Sequence, residues 1–99
     1  MAIIYIRRAG DDKEIKAYYD SFIKLSDEEL VNEYNQRQKK GIIGSHYEAI
    51  YLIAMDRAFK EKFNKSPIYN DNNLALNFTV PIKLVNGELV FESQISLDN

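Results

Sequence analysis

Cysteine is absent from these 99 residues, and so is tryptophan. Without thiols there is no disulfide, thiolate zinc site, iron–sulfur cluster or cysteine nucleophile, a usage that fits a reducing compartment. A single histidine means that a protein-only metal site would have to be mostly carboxylate, and the sequence offers no such cluster. No cofactor is expected. No apolar run reaches the roughly 18 residues that a membrane-spanning helix needs. The opening "MAIIYIRRAGDD" is not read as a secretory leader, because its apolar stretch is short and precedes the arginines. A cytoplasmic location is the expectation.

Charge of one sign is also lacking overall. The net charge is -2, but its distribution is uneven. Residues 1–40 balance eight Lys/Arg against eight Asp/Glu, whereas residues 66–99 hold only Lys83 against Asp71, Glu88, Glu92 and Asp98. A chain with a pI near 5.4 and an acidic final third is not first expected to bind nucleic acid.

The length suits one domain with a modest core, and residues 1–99 are read as a single α+β domain. Only four glycines and two prolines are present, so each is informative as punctuation. "AIIYIRR" (Ala2–Arg8) is β-branched and aromatic and predicts a strand, followed by a Gly10-Asp11 turn. Ile15, Tyr18, Tyr19, Phe22 and Ile23 recur at helical spacing, with Asp11 or Asp12 as N-cap. Ser26 and Glu29 stand in capping-box spacing ahead of a second, mostly wet helix carrying Leu30, Val31 and Tyr34. Gly41 supplies its left-handed stop. Ser45 and Glu48 repeat the capping-box spacing before a third helix, apolar on every side around Ile50–Met55. Asn64 and Ser66-Pro67 end it.

"IYNDNN" (Ile68–Asn73) reads as a loop of turn-formers. "LALNFTVPIKLV-NG-ELVFESQISL" predicts two strands joined by Asn86-Gly87, the favoured type I′ pair. That turn pairs Val85 with Glu88. It puts Phe78, Val80, Ile82 and Leu84 on one face with Leu89, Phe91, Ile95 and Leu97. Pro81 cannot donate to a ladder, which places it on a sheet edge. The expected architecture is therefore α+β in the order β-α-α-α-β-β. A small antiparallel sheet, made of the hairpin and the N-terminal strand, packs against three helices.

Candidate chemistry centres on "GIIGSH" (Gly41–His46). Free amides at a helix start, after a glycine turn, suit a phosphate. Gly44, Ser45 and His46, with Arg37, Lys39 and Lys40 at the end of the preceding helix, form the candidate anion site. Ile42 and Ile43 read as core anchors. The Gly-Lys-Ser/Thr ending of a Walker loop is missing. The helix–Gly41-Ile42-Ile43-Gly44–helix arrangement resembles the turn of a KH domain, a family that binds single-stranded nucleic acid at that loop. A strand before and a hairpin after also follow the type I KH order. The resemblance covers about four loop residues and the topology, and this chain departs from it in two respects. Isoleucines stand between the glycines where KH loops usually carry a basic or polar residue, and an extra helix precedes the motif.

Six serines share one histidine, and no strand–Gly-x-Ser-x-Gly–helix elbow occurs, so nucleophilic catalysis has little support. Asp11/Asp12 and Asp27/Glu28/Glu29 stand at helix starts, where the dipole explains them. An enzyme is not expected. By elimination the reading is a small, non-catalytic, protein-binding domain: an inhibitor, immunity protein, antitoxin or adaptor of bacterial or phage type that neutralises a partner. An acidic face suits a basic toxin or nuclease. Glu88, Glu92, Tyr18 and Tyr34 are the candidate partner-binding residues, tyrosine being enriched at interaction hot spots. The alternative is a nucleic-acid or nucleotide-phosphate binder working through Gly41–His46. Monomer and homodimer are both compatible with the sequence.

Overall fold

The structure, a computed structural model, describes residues 2–92. Gln94, Ile95 and Leu97, within the expected second strand of the hairpin, and Asp98 of the acidic final third lie outside the described residues. Eight elements follow the chain: β1 (Ile3–Ile4), α1 (Asp11–Lys24), α2 (Asp27–Lys40), α3 (His46–Phe63), β2 (Ile68–Asp71), β3 (Ala75–Phe78), β4 (Ile82–Val85) and β5 (Glu88–Phe91). The fold is α+β: three helices with five antiparallel strands in two sheets, ordered β1-β3-β2 and β4-β5. Among the described residues no helix is long and apolar enough to cross a membrane.

The three helices stand where the apolar spacing puts them. Ile15 and Phe22 bury the inner face of α1. Its N-cap position is held by Gly10 at φ 87° and not by Asp11 or Asp12. Asp11 is free to turn inward because the Arg8 amide donates to its carboxylate at 2.8 Å. The capping box of α2 is complete: the Glu29 amide donates to Ser26 Oγ at 3.1 Å, and the Ser26 amide donates back to Glu29 at 2.9 Å. The bond from the Ser26 backbone amide also holds the Glu29 carboxyl below its ordinary value. α3 runs through the middle of the core, with Ala49, Ile50, Leu52, Ile53, Ala54, Met55, Ala58 and Phe59 wholly buried.

α1 and α3 lie side by side and parallel. Their first residues, Asp11 and His46, are hydrogen-bonded. At the other end, Lys62 in the last turn of α3 donates to the Leu25 carbonyl at the close of α1 at 2.8 Å. α2 is the return stroke between them. This pairing brings two positive helix ends together, which is unfavourable unless negative charge is placed there.

The strands correct the expected pairing in three places. Ile68–Asp71, read as loop, is β2, joined to β3 through Asn72 and Asn73 at φ 51° and 60°. Asparagine tolerates this left-handed backbone, so Asn-Asn makes a tight hairpin turn here. The expected long strand before Asn86 is two strands, broken over Thr79–Pro81. Pro81 has no N–H to offer a ladder. The Thr79 amide donates instead to the Tyr34 hydroxyl at 3.1 Å, and that hydroxyl lies 3.0 Å from the Val80 carbonyl and 3.3 Å from that of Pro67. The N-terminal strand pairs with β3, the first part of that expected strand, Ile3 opposite Leu76, and so stands in a different sheet from β4 and β5. That hairpin keeps the expected register: Val85 faces Glu88, Leu84 faces Leu89 and Ile82 faces Phe91.

α2 also serves as the neighbour of β4. The Asn35 side-chain amide donates to the Ile82 carbonyl at 2.7 Å and accepts from its N–H at 3.0 Å. A side-chain amide thus takes the place of a strand peptide along one edge of the second sheet.

Candidate functional site

Two of the three buried charged side chains among the described residues, Asp11 and Glu48, stand at the junction of the two helix starts. Asp11 of α1 accepts from the Tyr5 hydroxyl at 2.7 Å, from the Arg8 amide at 2.8 Å and from His46 Nε2 at 3.0 Å. The His46 ring stacks on Tyr5, with centroids 5.6 Å apart and planes inclined by 20°. Desolvation alone would raise the Asp11 pKa. The hydrogen bonds from Tyr5, His46 and the Arg8 amide outweigh it and hold the carboxyl down at about 2. An ionised Asp11 only accepts, so His46 Nε2 carries the hydrogen of that contact. Burial, then the hydrogen bond to Asp11 and its charge, push the Tyr5 hydroxyl up to about 12.

Glu48 fills the glycine turn. Its buried carboxylate accepts from the amides of Ile43 at 2.9 Å and Gly44 at 2.8 Å. Ser45 Oγ accepts from the Glu48 amide at 3.1 Å, so only one half of the expected second capping box forms. Two amides of the glycine turn thus hold the chain's own carboxylate. Asp11 and Glu48 together supply the negative charge that two adjacent helix starts require.

The other members of the candidate anion site are dispersed. Arg37 lies with its guanidinium 4.5 Å from the centre of the Tyr51 ring, and its buried Nε has no hydrogen-bond partner among the described residues. The Tyr51 hydroxyl donates to Glu33. Its pKa is pushed well up by burial, and further by that carboxylate. Lys39 and Lys40 are exposed at the end of α2. Of the two isoleucines read as core anchors, Ile42 packs against the core, whereas Ile43 is 73% exposed.

The candidate partner-binding residues also separate. Tyr34, expected to reach a partner from a mostly wet helix, is wholly buried between Phe59 and Phe78 with its hydroxyl on the Thr79–Pro81 bend. It offers no surface to a partner. Glu88 and Glu92 are exposed on the β4–β5 hairpin, which packs against α2. Tyr18 lies elsewhere, on the α1–α3 face, where it lines a groove of about 380 Å³ with Glu14, Ala17, Ser21 and Tyr47.

Tyr47 is the residue that sequence reasoning passed over. It is 65% exposed and Tyr18 is 37% exposed. The Tyr18 ring is braced edge-on against Tyr51 at 5.6 Å and stacked near Phe22 at 6.3 Å. Two tyrosines with accessible faces, a carboxylate and a hydroxyl form a surface suited to an amphipathic cation. The available signal was positional: Tyr47 and Tyr51 are one turn apart, and the buried core of α3 accommodates only part of that stripe. Compared with protein-family models, characterised proteins and solved structures, the chain matches none.

Proposed function

We propose that this chain is a non-catalytic protein-binding domain that neutralises or adapts a partner protein, docking it through the α1–α3 face. The observation that carries the reading is the Tyr18–Tyr47 groove: two exposed phenols beside Glu14, on a rigid helix pair. Large aromatic side chains held at low entropic cost are the usual anchors of protein interfaces. The occupant that fits is a basic segment of the partner. An arginine or lysine would rest its apolar stem between the rings and its charge against the Glu14 carboxylate. Glu88 and Glu92, exposed on the hairpin, would give a separate acidic contact that speeds association with a basic toxin or nuclease.

The phosphate-binding alternative is less favoured, because the Ile43 and Gly44 amides are bonded to Glu48 and His46 is bonded to Asp11. The test begins with capture from nuclease-treated host extract, followed by identification and purification of the captured protein. Its affinity is then measured against variants. Tyr47→Ala should weaken the pair at least tenfold, about 1.4 kcal/mol or more. Lys39→Ala with Lys40→Ala should leave it unchanged. Unaltered affinity for Tyr47→Ala, or binding that disappears with nuclease treatment, would overturn the proposal.

A further inference from the structure

Asp56 has no place in a purely apolar helix core, and yet it lies in one. It is 1% exposed, in the centre of α3. Burying a carboxylate carries a large desolvation cost unless its partners compensate. Its partners are Lys60 Nζ at 2.9 Å and Asn70 Nδ2 at 3.0 Å. Asn70 in turn holds the β2–β3 turn: its Nδ2 donates to Asn73 Oδ1 at 2.8 Å, and its Oδ1 accepts from the Asn73 amide at 2.7 Å. A buried charge is thus committed to fixing the position of one exposed turn.

That turn forms one wall of a hollow of about 260 Å³, where the segment after β1, the start of α1, α3 and the β2–β3 connection meet. Leu74, which is exposed, and the edges of Tyr5 and Ile15 make its apolar surface, with Ile53 buried beneath them. Asn72, with no side-chain hydrogen bond among the described residues, and Asn73 stand at its edge with two arginines. Arg7 is paired with Asp12, so those two charges cancel. Arg57 has no ion pair among the described residues, and Glu61, one turn further along α3, makes none with it. The ionisable groups lining the hollow therefore carry one uncompensated positive charge above an apolar floor. Drug-sized ligand sites occupy about 300–1,000 Å³, so this one suits something smaller.

We propose that the hollow binds a small organic monoanion, a carboxylate with a compact apolar or aryl body. The body rests on Leu74 and the edges of Tyr5 and Ile15, and the carboxylate takes Arg57 and the Asn72 side-chain amide. Arg57 supplies the charge-assisted fork. The site is separate from the Tyr18–Tyr47 groove and stands whether or not that groove docks a protein.

Titration of the full chain with phenylacetate, followed by amide chemical shifts in ¹H–¹⁵N spectra, tests it. Saturable shifts confined to Ile15, Ile53, Arg57 and 72–74 are expected. Acetate, which lacks the body, and 2-phenylethanol, which lacks the charge, should each bind at least tenfold more weakly. Arg57→Gln should weaken phenylacetate about tenfold, the loss of one charge-assisted contact. Asn72→Ala should weaken it less. Both side chains are exposed, and an unchanged melting midpoint confirms that each variant is folded. No saturation, equal affinity in Arg57→Gln, or acetate binding as well as phenylacetate would each refute the site.

Discussion

Replacing Tyr34 by phenylalanine removes one oxygen atom and leaves the ring in place between Phe59 and Phe78. No cavity is created, so the loss isolates the hydroxyl. That hydroxyl accepts from the Thr79 amide and lies within hydrogen-bond reach of the Val80 and Pro67 carbonyls. Pro67 retains the Thr79 hydroxyl as a donor. The Thr79 amide and the Val80 carbonyl are left without that partner on a part-buried bend. Each orphaned group costs about 1–3 kcal/mol when buried. The bend is partly reachable by water, so the lower part of that range applies, and the total is about 2–3 kcal/mol. With a urea m-value of about 1.5 kcal/mol/M, inside the range for small proteins, the unfolding midpoint should fall by about 1.3–2 M at constant m. Tyr34→Ala should lose a further ~3 kcal/mol or more from the cavity it opens. Thr79→Val removes the bond to Pro67, and combined with Tyr34→Phe it should be non-additive, because the two hydroxyls share that carbonyl. If Tyr34→Phe cost less than about 0.5 kcal/mol, within the range of a neutral surface change, the hydroxyl would not be what holds β3 and β4 apart, and the account of the broken strand would be wrong.

The polar junction gives further outcomes. Glu48→Ala should destabilise the fold by about 2–3 kcal/mol by stripping the Ile43 and Gly44 amides of a charged acceptor; in that variant, but not in the parent, added phosphate should raise the melting temperature. Asp11 has its pKa lowered to about 2 from 3.8. Its contribution is therefore fully present above about pH 4 and is lost as the pH falls toward 2, and Asp11→Asn should lack that acid limb in a series of melting temperatures. Tyr5, raised from 10.0 to about 12, works in the opposite direction. Its contribution is complete below about pH 10 and lost as the pH rises through 12, a loss that Tyr5→Phe should abolish. Gly87→Ala, at φ 80° with nothing within 4 Å of the added carbon, should cost about 1–2 kcal/mol in chemical denaturation through backbone strain alone.

Much of the fold was legible in the chain. Ser26 with Glu29, the Ile15–Phe22 spacing and Asn86-Gly87 each encode their structure within a few residues, and each formed where expected. The candidate site was less legible. Ser45 and Glu48 carried the right spacing, but the Glu48 carboxylate turned to the glycine-loop amides. His46 was visible as a candidate, while its partner Asp11, 35 residues away, looked like a helix cap. Tyr34, expected at a partner surface, is wholly buried, and Tyr47, which the spacing did not single out, is exposed, because helical spacing identifies a stripe without saying how wide a stripe its neighbours cover.

Local chemistry was thus enough to set the three helices, their punctuation, the register of the C-terminal hairpin and the absence of thiol chemistry. It could not assign which strand lies beside which, nor which polar groups meet in the core. Those depend on partners far apart in the chain: Ile3 with Leu76, Asn35 with Ile82, Tyr34 with Thr79 and Asp11 with His46. A hydrogen bond or a buried pair needs two groups, and a periodic pattern describes only one of them. The parallel docking of α1 beside α3 is the main case. Once two positive helix ends are brought together, the carboxylates of Asp11 and Glu48 become their counter-charges, and two amides of the glycine turn are held by the chain's own Glu48.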